Sequence, residues 1–196
     1  MPSLEISDTD FDADAKIKEY DQTAVHFNLK RSFVADDTWY TICLPFNVAQ
    51  QQLVEVFGGE KVELRTFDHM EDGTVMYFKP VYDLEAGIPY LIKPNKNLDS
   101  LLFENVKIDM AAHPDLQVGA DGYFMQGTYQ ATELNPDGTN LFLGDNNPIN
   151  DGFCIITQNL IYSFFWNDEI HSCTLHFVII FRRSEECIVV TRRVYR

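Results

Sequence analysis

The feature that most constrains the fold is an aromatic and apolar segment, residues 38–48, which reads Thr-Trp-Tyr-Thr-Ile-Cys-Leu-Pro-Phe-Asn-Val. Alternate side chains of an extended chain point to opposite faces, so the large apolar residues at the even positions share one face. That face is expected to belong to the core, with Leu44 and Phe46 almost fully buried. Because Pro45 has no N–H to donate, we expect the strand to lie at a sheet edge or to stop pairing there.

A strand is also expected before this segment and a helix after it. Alternating apolar residues at positions 25, 27, 29 and 33 predict a half-buried strand whose Phe27 or Leu29 packs against residues 44 and 46, with Arg31 as its one charged interruption. Asn47 followed by Gln50 resembles an N-cap with its capping-box partner, and Gly58 fits the residue that ends a helix. This pattern predicts one short helix over about residues 48–57.

The rest of the body consists of short apolar stretches separated by turn residues. Strands are predicted near residues 62–64, 74–79, 85–94, 103–108 and 122–129, with turns at 68–73 and 135–138, the latter before Leu-Phe-Leu-Gly at 141–144. Gly127 is expected to mark a bulge or a close approach of two chain segments. Many short strands and one short helix predict an all-β fold, an antiparallel β-sandwich or a barrel.

Composition divides the chain into three parts. Residues 1–22 are expected to form a loosely held acidic lead-in, and residues 23–150 the β-sandwich module. Residues 151–196 form an atypical apolar tail that contains three of the four cysteines and, from residue 153, no glycine, proline, lysine or alanine. We expect this tail not to be integral to the core, although its alternation would also allow it to supply extra strands.

The charge of the chain limits its partners. The formal net charge is −15, with 25 acidic and 10 basic residues in 1–150 and 5 of each in 151–196. An acidic surface repels phosphate groups, so nucleic acid and anionic membranes are not expected partners. The longest apolar run, Phe177 to Phe181, is far shorter than the ~20 residues of a membrane-spanning helix. No signal-peptide pattern opens the chain, which suggests a truncated start or a fragment of a longer protein.

Neither metal nor cofactor binding is expected. The carboxylates at positions 8, 10, 12 and 19 have the spacing of an EF-hand loop, but Ala13 stands where that loop needs glycine. His171, Cys173 and His176 cannot converge from one strand, because position 176 faces away from the other two. The four cysteines, Cys43, Cys154, Cys173 and Cys187, lack Cys-x-x-Cys spacing. Buried free thiols are expected of them, and a disulfide remains an alternative.

Several segments resemble a module that recurs in surface and secreted proteins of Bacteroidetes-type bacteria, often beside leucine-rich repeats. The likeness is carried by residues 25–33 leading into Trp39 to Phe46, by Glu-Ala-Gly-Ile-Pro-Tyr-Leu-Ile-Lys-Pro at 85–94, and by shorter stretches at 103–108, 127–129 and 141–144. It covers about residues 23–146 and ends before the tail. The resemblance implies an all-β module at the cell surface or secreted as part of a longer protein, with no catalytic residues to carry over.

Three functions are compatible with these patterns. The first is a non-catalytic surface module with a structural or adhesive role, whose partners would be glycans or other surface proteins. The second is a carbohydrate-binding module in which exposed aromatic rings stack on sugars, with Trp39, Tyr40, Tyr123 and Tyr129 as candidates. The third is a glycoside hydrolase that uses two of Glu85, Glu104 and Asp109, although chance alone brings some carboxylates together in so acidic a chain.

Overall fold

The fold is all-β, as the spacing of short strands predicts. The computed structural model describes residues 1–71, 75–111, 117–120, 123–131, 149–150, 153–155 and 180–183. Within those ranges the chain forms, in order, β1 (Ser3–Ser7), α1 (Ala13–Lys18), β2 (Ala24–Lys30), β3 (Tyr40–Ile42), α2 (Gln50–Phe57), β4 (Glu63–Glu71), β5 (Val75–Val81), β6 (Tyr90–Lys93), β7 (Leu101–Lys107), β8 (Gln117–Ala120), β9 (Tyr123–Gln126), β10 (Ile149–Asn150), β11 (Phe153–Ile155) and β12 (Ile180–Arg183).

The strands form three open sheets. The first has the order β1-β2-β7, the second β10-β11-β5-β4-β6-β3, and the third β12-β9-β8. Neighbouring strands are antiparallel except β1 and β2, which run parallel. Because β4 contacts both β8 and β9, the third sheet lies against the second. Open sheets packed on one another favour the sandwich over the barrel among the two predicted architectures.

The main core fills the space between the first sheet, the second sheet and the two helices. Phe46 lies at its centre, with its ring centroid 5.0 Å from that of Phe27 and 5.4 Å from that of Phe103. Leu44 is fully buried and Phe46 is 1% exposed, which confirms the burial predicted for both. Such edge-to-face aromatic pairs add to the free energy gained from burial alone.

The segment after Trp39 is less regular than its alternation predicts. β3 ends at Ile42 and lies at the edge of the second sheet, as Pro45 suggests. Beyond Ile42 the chain runs between layers of structure, and Cys43 is as buried as Leu44. The expectation that only one face of this segment is buried is therefore wrong at Cys43 and Pro45, which protein covers on the opposite face, whereas Asn47 on that face is exposed.

The expectation of a loosely held lead-in at residues 1–22 is also wrong. β1 pairs with β2 from position 3 to position 7 and adds a strand to the first sheet. Ile6 on β1 and Ile17 on α1 are both fully buried in the main core. Burial of two isoleucine side chains stabilises by ~1.5–3 kcal/mol each, which is enough to hold an otherwise acidic segment in place.

The helix after Phe46 forms, but its start was assigned to the wrong residue. α2 begins at Gln50, and its N-terminus is capped by Asp83, whose Oδ1 accepts a hydrogen bond from the Gln50 backbone N–H at 2.8 Å. The Asn47 side chain instead accepts the Ala86 backbone N–H at 2.8 Å. The predicted C-terminal glycine is confirmed, since Gly58 follows the helix with a φ of 79°.

The remaining strands extend the sandwich toward the C-terminus. β4 and β5 form the predicted hairpin, but the turn predicted at 68–73 begins too early, because residues up to Glu71 still belong to β4 and pair with β5. The predicted strands near 90, 103 and 123 correspond to β6, β7 and β9. Two pieces of the tail add strands, β11 beside β5 and β12 beside β9. The predicted turn at 135–138, the stretch at 141–144 and the cysteines and histidines at 171, 173, 176 and 187 lie outside the described residues.

Candidate functional site

The two most specific motifs in the sequence lie side by side. The Gly87 backbone N–H donates to the Leu44 carbonyl at 2.9 Å, and Val48 and Leu84 exchange two backbone hydrogen bonds at 2.8 Å each. The Asn47 side chain adds the bond to residue 86. We call this contact between residues 44–48 and 84–87 the motif joint. It holds the segment that follows β3 against the segment that precedes β6, so these motif residues have a structural role.

Gly127, on a third chain segment, packs against Cys43 and Pro89 beside the motif joint. A Cβ built on it would overlap Cys43 Sγ and would lie 3.0 Å from Cys43 Cβ and 3.6 Å from Pro89 Cβ. The close approach predicted at Gly127 is thus confirmed. Cys43 is a free, buried cysteine whose pKa is raised by desolvation. Because a thiolate rather than a thiol is the nucleophile, Cys43 has a packing role.

The four candidate sugar-stacking aromatics occupy different environments. Trp39 is partly exposed, and the Arg65 guanidinium lies over its ring, 5.2 Å from the centroid. Tyr40 is also partly exposed, but its hydroxyl accepts the Val34 backbone N–H at 2.9 Å and its ring packs 4.9 Å from that of Phe33. Trp39 is therefore the better placed of these two for a ligand.

Tyr129 has to be removed from the candidates. Its side chain is fully buried, and its hydroxyl points toward the Leu44 carbonyl at 3.5 Å. A ring with no exposed surface cannot stack on a sugar. Tyr123 lies on β9, where its backbone pairs with Ala120 and Arg183, and its side chain is outside the described part of the structure.

Arg31, which directly follows β2, protects the free edge of β3. Its Nη1 donates to the Thr41 carbonyl at 2.6 Å, and its guanidinium lies 5.0 Å from the centroid of the Phe33 ring. Desolvation lowers the pKa of Arg31 to about 10, while the charge of Asp8 raises it. Arg31 therefore remains a cation at neutral pH and has a structural partner.

The EF-hand-like carboxylates are tied to a lysine. Lys16 Nζ lies 3.0 Å from an oxygen of Asp10 and 3.0 Å from an oxygen of Asp12. The Ser7 backbone N–H and then Lys16 hold the pKa of Asp10 below its usual value. Asp8 precedes this pair in the β1–α1 connection, and Glu19 caps the C-terminus of α1. In the described residues, no three His, Cys, Asp or Glu side chains converge as metal ligands would.

The carboxylates considered for hydrolysis lie on three different segments of the chain. Asp109 Oδ1 accepts hydrogen bonds from Gln22 Nε2 at 3.2 Å and from the Ala111 backbone N–H at 3.1 Å. Glu85 is exposed in the β5–β6 connection, whereas Glu104 is exposed on β7 of another sheet. The structure therefore gives these three residues three separate settings.

An Asp–His pair on the β4–β5 hairpin resembles two members of a catalytic triad. Asp68 Oδ2 lies 2.9 Å from His69 Nδ1, and the contacts with His69 and then Lys79 lower the pKa of Asp68. The His69 ring is stacked on Tyr77 with centroids 4.5 Å apart. Asp68 is the extra residue at a bulge, and its bond to Lys79 at 3.2 Å ties that bulge to β5. The pair stabilises the hairpin surface.

A concavity with a volume of about 550 Å³ lies between α2 and β7. We call it the α2–β7 groove. Three segments line it, and the nine lining residues are Gln52, Glu55, Val56, Lys96, Leu98, Ser100, Leu102, Glu104 and Asn105. Sequence reasoning missed this groove because α2 and residues 96–105, which form its walls, lie at least forty residues apart in the sequence and carry no local motif.

No protein-family model, no curated protein and no solved structure matches this chain. Within the described ranges, the structure has no helix with the length and apolar character needed to cross a membrane.

Proposed function

We propose that this chain is a non-catalytic module of a bacterial cell-surface or secreted protein, with a structural or adhesive role. The observation that carries the proposal is the motif joint. The residues that make the sequence distinctive hold three chain segments together, through contacts of Leu44, Asn47 and Gly127.

The charge of the chain supports the same proposal. An enzyme needs groups whose pKa values suit proton transfer or nucleophilic attack, held in a cleft. Here the buried thiol of Cys43 is kept protonated, and the lowered pKa of Asp10 results from contacts within the protein. The net charge of −15 is typical of a soluble surface that repels its neighbours and stays hydrated.

Surface accessibility in intact bacterial cells tests the location. A protease added outside the cells, followed by detection with an antibody against residues 1–131, is expected to degrade the module while a cytoplasmic marker survives. Recovery of the module only in the cytoplasmic fraction would contradict the proposal. Release of reducing sugar from polysaccharides by the purified chain, abolished in Glu104→Gln, would contradict the non-catalytic part.

Carbohydrate binding through Trp39 is the second candidate, favoured by the accessible ring that Arg65 supports from one side. Quenching or shift of tryptophan fluorescence on addition of oligosaccharides would be expected, with loss of the response in Trp39→Ala. Tyr82→Ala provides the matched control, because Tyr82 is an aromatic residue that is 74% exposed elsewhere on the surface.

A further inference from the structure

We infer that the α2–β7 groove, rather than the ring of Trp39, is a binding site for a neutral saccharide. This inference rests on the proposed adhesive role and gives that role a site.

A bulge in β7 turns two polar side chains into the groove. Val25 pairs with Val106 and Phe27 with Phe103, so Glu104 and Asn105 together oppose the single residue between positions 25 and 27. Both side chains are exposed, although strict alternation would turn one of them inward. Asn105 adopts a left-handed backbone with a φ of 52°, a conformation that costs most residues ~1 kcal/mol or more. Bulges commonly redirect side chains at functional sites.

The groove combines apolar contact surface with hydrogen-bonding groups. Val56, Leu98 and Leu102 supply aliphatic surface, and Leu102 is 50% exposed there. Amide, carboxylate, ammonium and hydroxyl groups from the other six residues surround them. Sugar rings have apolar C–H faces and many hydroxyls that both donate and accept, so this mixture suits them. The volume of about 550 Å³ lies within the ~300–1,000 Å³ range of small-molecule sites.

The groove walls are connected to each other and to the core. Gln52 Nε2 donates to the Glu104 carbonyl at 3.2 Å, which links α2 to β7. Asn95 binds the carbonyls of Gly58 and Lys61 at 2.9 Å each, so the segment before Lys96 is fixed to the end of α2. Walls that are already positioned reduce the conformational entropy lost when a ligand binds.

Other ligand classes fit less well. Addition of a peptide strand to the edge of β7 is hindered, because the bulge breaks the regular edge and Gln52 already occupies the Glu104 carbonyl. An anionic ligand would meet two carboxylates and one ammonium group in a chain of net charge −15. A neutral ligand with many hydroxyls avoids both penalties.

Titration of the ¹⁵N-labelled full chain with cello-, malto-, xylo- and manno-oligosaccharides, followed by amide chemical shifts, tests the inference. At least one of these sugars is expected to shift amides of α2 and of residues 96–105 together. Pentalysine, added separately, tests whether a cationic peptide prefers the same groove.

Two variants remove groove groups without disturbing the fold. Asn105→Gly deletes the amide and keeps a residue that tolerates the left-handed backbone. Glu104→Ala deletes the carboxylate while the carbonyl that binds Gln52 remains. Each is expected to weaken saccharide binding about tenfold, the effect of losing one good hydrogen bond to the ligand. Lys107→Ala, an exposed change on β7 outside the groove, is the matched control and is expected to leave the affinity unchanged.

The inference is overturned if none of the four sugars shifts the groove amides, if pentalysine binds there and the sugars do not, or if Trp39→Ala abolishes binding while both groove variants retain it. The last result would leave the carbohydrate-binding candidate standing at another site. Failure of the proposed function is seen separately, as a cytoplasmic location in the protease experiment, whatever the sugars do.

Discussion

Substituting Gly127 by alanine tests the tightest contact in the structure. Gly127 does not adopt a left-handed backbone conformation. At such a position a Gly→Ala change normally stabilises the folded state by ~0.4–1 kcal/mol, because it reduces the conformational entropy of the unfolded chain. Here the new methyl group would overlap Cys43 Sγ, and the Pro89 side chain lies on its other side at 3.6 Å. Because overpacking a core costs ~1–3 kcal/mol, we expect a net destabilisation of about 1–2 kcal/mol.

A double-mutant cycle with Cys43→Ala identifies the cause. Cys43→Ala alone is expected to cost about 1 kcal/mol, as for loss of one buried heavy atom. It also removes the overlapping Sγ and leaves only the Cβ, 3.0 Å from the new methyl group. The double variant should therefore be more stable than the sum of the two single changes predicts, by ~1 kcal/mol.

Urea unfolding measures both effects. With a slope of ~2 kcal/mol per molar urea, a loss of ~2 kcal/mol lowers the midpoint by ~1 M. A Gly127→Ala protein as stable as the wild type, or more stable, would show that the close approach does not exist. Simple additivity in the cycle would show that Cys43 is not the residue in the way.

Four further results are expected. Phe46→Ala should cost ~3–5 kcal/mol in urea unfolding, because it leaves a cavity between two aromatic rings, and a loss under ~1 kcal/mol would mean that the site is not core. Millimolar Ca²⁺ should not raise the melting temperature, since Lys16 already pairs with the carboxylates at 10 and 12. A rise of several degrees that Asp10→Ala abolishes would refute this. Asp10→Asn should lower the free energy of unfolding at pH 7, because the pKa of Asp10 in the folded protein lies below its unfolded value of about 3.8. The difference in stability between variant and wild type should vanish as the pH falls through that folded pKa. A difference that stays constant with pH would mean that the carboxylate charge is not responsible. Deleting the chain after Asp151 removes β11, which lies between β10 and β5, and β12, which lies at the edge of the third sheet, so we expect a broader, less cooperative melt. An unchanged melt with equal solubility would show that the tail is dispensable.

Prediction from sequence succeeded where local pattern and burial agree. The alternation around Phe27 and the apolar run ending at Phe46 each identified a buried segment, because a sheet face covered by protein requires that period. The end of α2 at Gly58 followed from the backbone freedom of glycine. These features depend on neighbours in sequence, which a single chain displays directly.

The errors have physical causes as well. β1 buries only Leu4 and Ile6, and α1 only Ala13 and Ile17, which are too few apolar positions to stand out among acidic neighbours. The cap of α2 could not be assigned because Asp83, which supplies it, lies 33 residues away. The sequence pattern at Asn47 is typical of an N-cap, but its side chain accepts a hydrogen bond from the backbone N–H of residue 86 instead of from the helix.

The same reasoning explains why the most specific motifs are poor guides to a ligand here. Residues 43–46 stand out because each of their side chains is buried among close neighbours, and a side chain that is fully enclosed has no surface left for a partner. The α2–β7 groove is the opposite case: Gln52, Lys96 and Asn105 stand out in no local pattern, since each is an ordinary surface residue until the fold brings them together. The left-handed backbone at Asn105 is the one local sign, and it becomes visible only in the structure. A search for ligands of this module should therefore start from the groove and treat the motifs as its scaffold.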